Sequence, residues 1–189
     1  MHHIIPSLNR EFAAFLSPLL KLLRSKIGLT PHKITILSFC IGSAAPFLIY
    51  FNKVGAALIV LFFALILDGL DGAMARFLKK ESKLGEKLEL IFDRTNEAML
   101  FGVLAFRGYS SFTIALLAFT AIILLSSVKE RSKFDPGCKR VMLFAGYFLG
   151  NFEIALGITF AANLAGFVVG LLILDYRHQK AVDFKKAHV

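Results

Sequence analysis

A chain of 189 residues that is 57% hydrophobic with 20 Phe, and whose mean hydropathy is +0.68, is more apolar than the roughly half-apolar soluble domain. Two cysteines, Cys40 and Cys138, exclude a disulfide scaffold and a four-thiolate zinc site. The formal charge of +9 is confined to a few loops, a distribution that argues for orientation in a membrane and against nucleic-acid binding.

Residues 7–26 place Leu8, Phe12, Phe15, Leu16, Leu19 and Leu23 on one side, with Arg10, Lys21 and Arg24 on the other. This pattern predicts an amphipathic helix lying in the headgroup layer. The start mixes apolar and charged positions, so no cleavable signal peptide is expected. Thr30 before Pro31 then reads as a helix start with proline in its first turn. Six spans fit the apolar runs, at about 32–51, 54–76, 85–105, 110–128, 139–151 and 153–175. The fifth is short, and Gly150-Asn151 is its only boundary with the sixth. The expected fold is therefore an all-α integral membrane protein, six transmembrane helices preceded by an amphipathic interfacial helix. Its parts are a juxtamembrane helix over 1–30, a membrane domain over 31–176 and a tail over 177–189.

Basic residues cluster before the first span, between the second and third, between the fourth and fifth, and in the tail, leaving only Lys53, Arg94 and Arg107 elsewhere. The positive-inside rule then puts both ends and these loops in the cytoplasm of a multi-pass cell-membrane protein. The same charge suits an anionic lipid surface.

The chemistry concentrates in residues 68–93. On a helix, offsets 0, 3, 4, 7 and 8 share one stripe, and Asp68, Asp71, Gly72, Ala75 and Arg76 have those offsets. Gly85, Glu89 and Asp93 repeat every four residues on the next helix. The eight residues between Arg76 and Gly85 are few enough to make the two helices antiparallel neighbours. Four carboxylates facing one another near a bilayer would repel and cost a few kcal/mol each on insertion scales. Two divalent cations balance them, and oxygen-only ligation favours Mg²⁺, Mn²⁺ or Ca²⁺ over zinc. Gly72 and Gly85 admit close approach of a nucleotide or diphosphate, and Arg76 pairs with phosphate. The depth suits a substrate with a wet phosphate head and a greasy tail.

The stretch D-x2-D-G-x2-A-R-x8-G-x3-E-x3-D resembles the motif of the CDP-alcohol phosphotransferases (CDP-alcohol phosphatidyltransferases), which carry Asp where Glu89 stands. The resemblance implies that Asp68, Asp71, Glu89 and Asp93 hold two Mg²⁺ or Mn²⁺ ions. It also implies that Asp93 is the catalytic base and that Asp68, Gly72, Arg76 and Gly85 contact the CDP moiety. The implied reaction moves a phosphoalcohol group from a CDP-alcohol, a CDP-lipid by preference, to an alcohol acceptor with release of CMP, in phospholipid biosynthesis. The resemblance also implies a homodimer. Residues 126–131 and 139–141 resemble the segment where inositol-phosphate-using members hold their acceptor. Lys129, Arg131 and Arg140 thus become candidate contacts for a phosphorylated acceptor such as inositol phosphate or glycerol phosphate. Two other readings use the same acids. One is a divalent-cation transporter, which predicts acids continuing beyond Asn96 and Glu97, where the span turns apolar. The other is a family relative that binds CDP-lipid but is inactive because of Glu89.

Overall fold

Pro31 opens the first helix, where the Thr30-Pro31 pair predicts it. The backbone N–H groups of Lys33 and Ile34 donate to the Thr30 carbonyl at 3.0 and 3.2 Å, and proline at this position has no N–H to leave unpaired. The computed structural model describes residues 30–78, 82–132, 137 and 139–186. The interfacial helix expected over 7–26 lies outside the described residues. Among the described residues every regular element is helical: α1 Pro31–Tyr50, α2 Val54–Phe77, α3 Lys83–Phe106, α4 Phe112–Ser132, α5 Val141–Phe148 and α6 Phe152–Lys186.

Four of these helices carry stretches long and apolar enough to cross a membrane, over Pro31–Tyr50, Val54–Phe77, Phe112–Lys129 and Phe152–Lys180. The protein is a multi-pass membrane protein. The other two helices fall outside that set for different reasons. The first half of α3 carries Glu86, Lys87, Glu89, Asp93 and Arg94, too much charge for hydrocarbon on composition alone. Helix α5 has 8 residues, which rise only about 12 Å against a core of about 30 Å. Helix α6 has 35 residues and continues to Lys186, well past the expected span end at 175.

The Gly150-Asn151 boundary has a physical basis. Gly150 takes φ +65°, a conformation that suits glycine and ends helices. The Asn151 N–H closes the turn on the Gly146 carbonyl at 2.8 Å. The Asn151 side chain then accepts from the Ile154 N–H at 3.0 Å, capping α6.

The chain divides into two compact units, residues 1–45 with 59–96, and 46–58 with 97–189. In the first, Ile34, Ala73 and Met74 form a buried core with Leu67, Leu70, Phe77 and Leu78 packed on it. Ser38 donates to the Ala64 carbonyl at 2.8 Å, and Ser43 donates to the Asn96 side chain at 3.0 Å. Phe39 stacks on Phe92 with ring centroids 4.3 Å apart. These contacts tie α1 to both neighbours and fix the ends that carry charged residues. In the second unit α4 and α5 both pack on α6. A Cβ at Gly146 would lie 2.9 Å from Ala155 Cβ and 2.9 Å from Phe152 Cδ1, so α5 and α6 approach more closely than any larger residue allows. Glu153 accepts from both the N–H and the hydroxyl of Ser111. It thereby caps the start of α4, where a negative charge is favoured.

Candidate functional site

Three helix ends enclose a cavity of about 140 Å³ in the first unit. The start of α1 contributes Pro31, His32 and Thr35, and the last turns of α2 contribute Asp71, Gly72, Ala75 and Arg76. The start of α3 contributes Ser82, Gly85, Glu86 and Glu89. Two helix starts and one helix end therefore face one space, together with the side chains of Arg76 and His32. The Gly85 N–H donates to the Ser82 hydroxyl at 3.1 Å, which caps α3 as an N-terminal serine should. The cavity is smaller than the roughly 300–1,000 Å³ that encloses a drug-sized ligand, so it holds the head of a molecule whose remainder lies outside.

Asp71 is the least conventional side chain of the site. It is 3% exposed, and neither carboxylate oxygen makes a well-formed hydrogen bond among the described residues, although the Thr35 hydroxyl and the Gly72 N–H lie close enough to act on it. The nearby Thr35 hydroxyl donates instead to the Pro31 carbonyl at 3.1 Å. Arg76 and Asp93 are close enough to act on Asp71 electrostatically. A buried carboxylate left this way costs free energy unless something positive satisfies it.

Both glycines of the motif make room for a side chain of the protein itself. A Cβ at Gly72 would meet Arg76 Nη1 at 3.4 Å, and one at Gly85 would meet His32 Cε1 at 3.1 Å and Ser82 Oγ at 3.2 Å. Arg76 thus folds back over Gly72, while His32 reaches across from α1 to lie over Gly85.

Of the motif residues, Asp71, Gly72, Ala75, Arg76, Gly85 and Glu89 line the cavity, whereas Asp68 and Asp93 do not. Asp68 lies three residues further from the loop end than Asp71, and Asp93 four further than Glu89, about 4.5 and 6 Å along the helix axes. Asp68, Glu89 and Asp93 each make a protein contact of their own. Among the described residues no three His, Cys, Asp or Glu side chains gather closely enough to hold a metal ion. The donor chemistry fits a hard divalent cation, since the acids are all oxygen ligands and the Asp71 oxygens lack well-formed hydrogen bonds among the described residues. Of the expected acceptor residues, Lys129 is exposed and Arg140 is buried. Both belong to the second unit, and the Arg131 side chain lies outside the described residues. His32, Ser82 and Glu86 were not singled out by the motif; only the fold brings them to this wall.

A family model described as CDP-alcohol phosphatidyltransferase matches residues 28–174. The chain belongs to that family. Among CDP-alcohol phosphatidyltransferase relatives, an archaetidylinositol phosphate synthase of Pyrococcus horikoshii is 33% identical over 110 residues, 58% of each chain. A CDP-diacylglycerol–serine O-phosphatidyltransferase of Mycobacterium leprae is 29% identical over 59% of this chain and 38% of its own. The match thus spans only about half of these relatives' length. The crystal structure of Mycobacterium tuberculosis phosphatidylinositol phosphate synthase with CDP-DAG bound superposes with a TM-score of 0.67. Its sequence identity is 24%, and the superposition covers 82% of this chain and 91% of the other. The manganese and citrate complex of the same synthase gives 0.67 at 23% identity, covering 82% and 87%. These neighbours show that the fold is shared.

Proposed function

We propose that the protein is a metal-dependent CDP-alcohol phosphotransferase, moving a phosphoalcohol group from a CDP-lipid to an alcohol acceptor with release of CMP in phospholipid biosynthesis. The observation that carries this reading is the buried carboxylate of Asp71, without a well-formed hydrogen bond among the described residues, on the same cavity wall as Arg76, Gly85 and Glu89. The family and the names of its relatives support the reaction class. The CDP-DAG complex of a protein with the same fold supports a lipid donor.

In this reading Asp68, Asp71, Glu89 and Asp93 hold two divalent cations, Mg²⁺ or Mn²⁺. The ions supply charge neutralisation on the diphosphate. Arg76 holds a diphosphate oxygen by charge-assisted hydrogen bonds, and Asp68, Gly72 and Gly85 border the CDP moiety. Asp93 takes the proton from the acceptor hydroxyl. The acceptor oxygen then bonds to the phosphorus that bears the donor alcohol, and the bond from that phosphorus to the CMP oxygen breaks. The donor tail stays in the apolar layer while its head enters the cavity, in keeping with the cavity's size. Lys129, Arg131 and Arg140 serve a phosphorylated acceptor, inositol phosphate or glycerol phosphate, a choice supported by the archaetidylinositol phosphate synthase relative.

The proposed architecture has six membrane crossings after a juxtamembrane helix in 1–30, the fifth being the short segment 139–151 around α5. The catalytic domain covers 31–176 and the tail 177–189, with the site facing the cytoplasm and a homodimer as the assembly. The clustering of basic residues supports that orientation.

The test is CMP release by the purified protein with CDP-diacylglycerol or CDP-archaeol against a panel of acceptors, with Mg²⁺, Mn²⁺ or chelator. Turnover that needs both the metal and one acceptor supports the assignment; no CMP with any acceptor contradicts it. One observation favours a second reading, a CDP-lipid-binding relative without turnover. Glu89 replaces the family's aspartate, and among the described residues no three acids gather into a cage. Activity that appears only in Glu89→Asp would select it.

A further inference from the structure

Arg76 over Gly72 and His32 over Gly85 are the same arrangement built twice. In each case a side chain able to donate N–H bonds lies where a glycine leaves out its Cβ, at 3.4 Å from Nη1 and 3.1 Å from Cε1. Both side chains line the one cavity, and both are exposed, so each can reach a ligand. Arg76 comes from the last turn of α2 and His32 from the first turn of α1. The two donors therefore approach the space from different helices, with Asp71 on the same wall. A ligand carrying one anionic group needs one such donor. A ligand carrying two adjacent anionic groups can use both.

We propose that His32 is a second diphosphate-binding residue, seated on Gly85 as Arg76 is seated on Gly72. This rests on the reading of the cavity as the site for a CDP-linked donor. The imidazole donates a ring N–H to one phosphate while the guanidinium takes the other. Either ring protonation state provides a donor, so the assignment does not depend on charge. It also gives Gly85 a specific duty: any side chain there pushes the imidazole off its seat. His32 is then a binding residue for the donor, and its loss weakens donor binding more than it slows the chemical step.

The experiment is calorimetric titration of the full chain in detergent with CDP and with CMP, in the presence of Mn²⁺. His32→Ala should weaken CDP binding about tenfold, the scale of a hydrogen bond to a charged group, and CMP binding less, so that the preference for CDP over CMP shrinks. His32→Gln, which keeps an N–H donor, should recover part of the loss. Gly85→Ala should reproduce it, and adding Gly85→Ala to His32→Ala should cost nothing further. In turnover, the KM for the CDP-lipid should rise while kcat stays within a few fold. Unchanged CDP affinity in His32→Ala, or His32 and Gly85 losses that multiply, would overturn the proposal. If Gly85→Ala does not fold, the two His32 variants decide alone. Wild-type turnover with an indifferent His32→Ala refutes this inference and leaves the reaction standing. A wild-type protein that does not bind CDP refutes both.

Discussion

Replacing Asp71 by asparagine separates what the residue does for the fold from what it does for the site. Asparagine is nearly isosteric, so the local packing is preserved and only the charge is removed. That charge is 3% exposed and its oxygens make no well-formed hydrogen bond among the described residues. An uncompensated buried ion costs several kcal/mol even after relaxation. The nearby Thr35 hydroxyl, the Gly72 N–H and Arg76 offset part of this. Asp71→Asn should therefore stabilise the protein without added metal by about 1–2 kcal/mol, or a rise in Tm of roughly 2–8 °C for a chain of this size. The same variant should lose the stabilisation that Mn²⁺ or Mg²⁺ gives the wild type. It should also release CMP at least a hundredfold more slowly, the scale of removing one preorganised electrostatic contact. Thermal denaturation in detergent with chelator and with metal, alongside a CMP assay, measures all three. A variant that is less stable than wild type in chelator, or that turns over normally, would refute the idea that Asp71 is held at a cost for binding a cation.

Asp93→Asn should abolish turnover, because it removes both the proposed base and one proposed metal ligand, and should weaken Mn²⁺ uptake and metal-dependent CDP binding as well; a CMP assay beside isothermal titration with and without Mn²⁺ checks this, and retained turnover would remove Asp93 from the base role. Glu89→Asp should retain or raise kcat with the metal optimum shifted; complete loss of turnover would mean that the chain depends on the longer side chain. Gly146→Ala brings a methyl to within 2.9 Å of Ala155 and 3.3 Å of Phe152 Cα. It should cost about 1–3 kcal/mol by overpacking, read as a lower Tm.

The sequence made the local features legible because their causes are local. Thr30-Pro31 starts a helix by backbone chemistry, and Gly150-Asn151 ends one and caps the next for the same reason. Helical offsets put Asp71, Gly72, Arg76, Gly85 and Glu89 on one wall. Offsets describe direction around an axis but say nothing of depth along it. They therefore grouped Asp68 and Asp93 with residues that lie one turn nearer the loop. Composition also could not measure the eight helical residues of α5. His32 has no ligand spacing with the other histidines in the sequence, and it meets Gly85 from 53 residues away along the chain. The two glycines were read as openings for a ligand's approach to backbone. The structure shows that Arg76 and His32 already occupy those openings.

The most direct test is a titration of the folded wild-type protein with Mn²⁺, followed by paramagnetic resonance of the free ion. Saturable uptake that reaches two ions per chain when CDP is present, and that Asp71→Asn and Glu89→Gln each reduce, is the predicted result. A well-folded wild-type protein that takes up no Mn²⁺ with or without CDP, or one whose uptake both variants leave unchanged, would contradict the account.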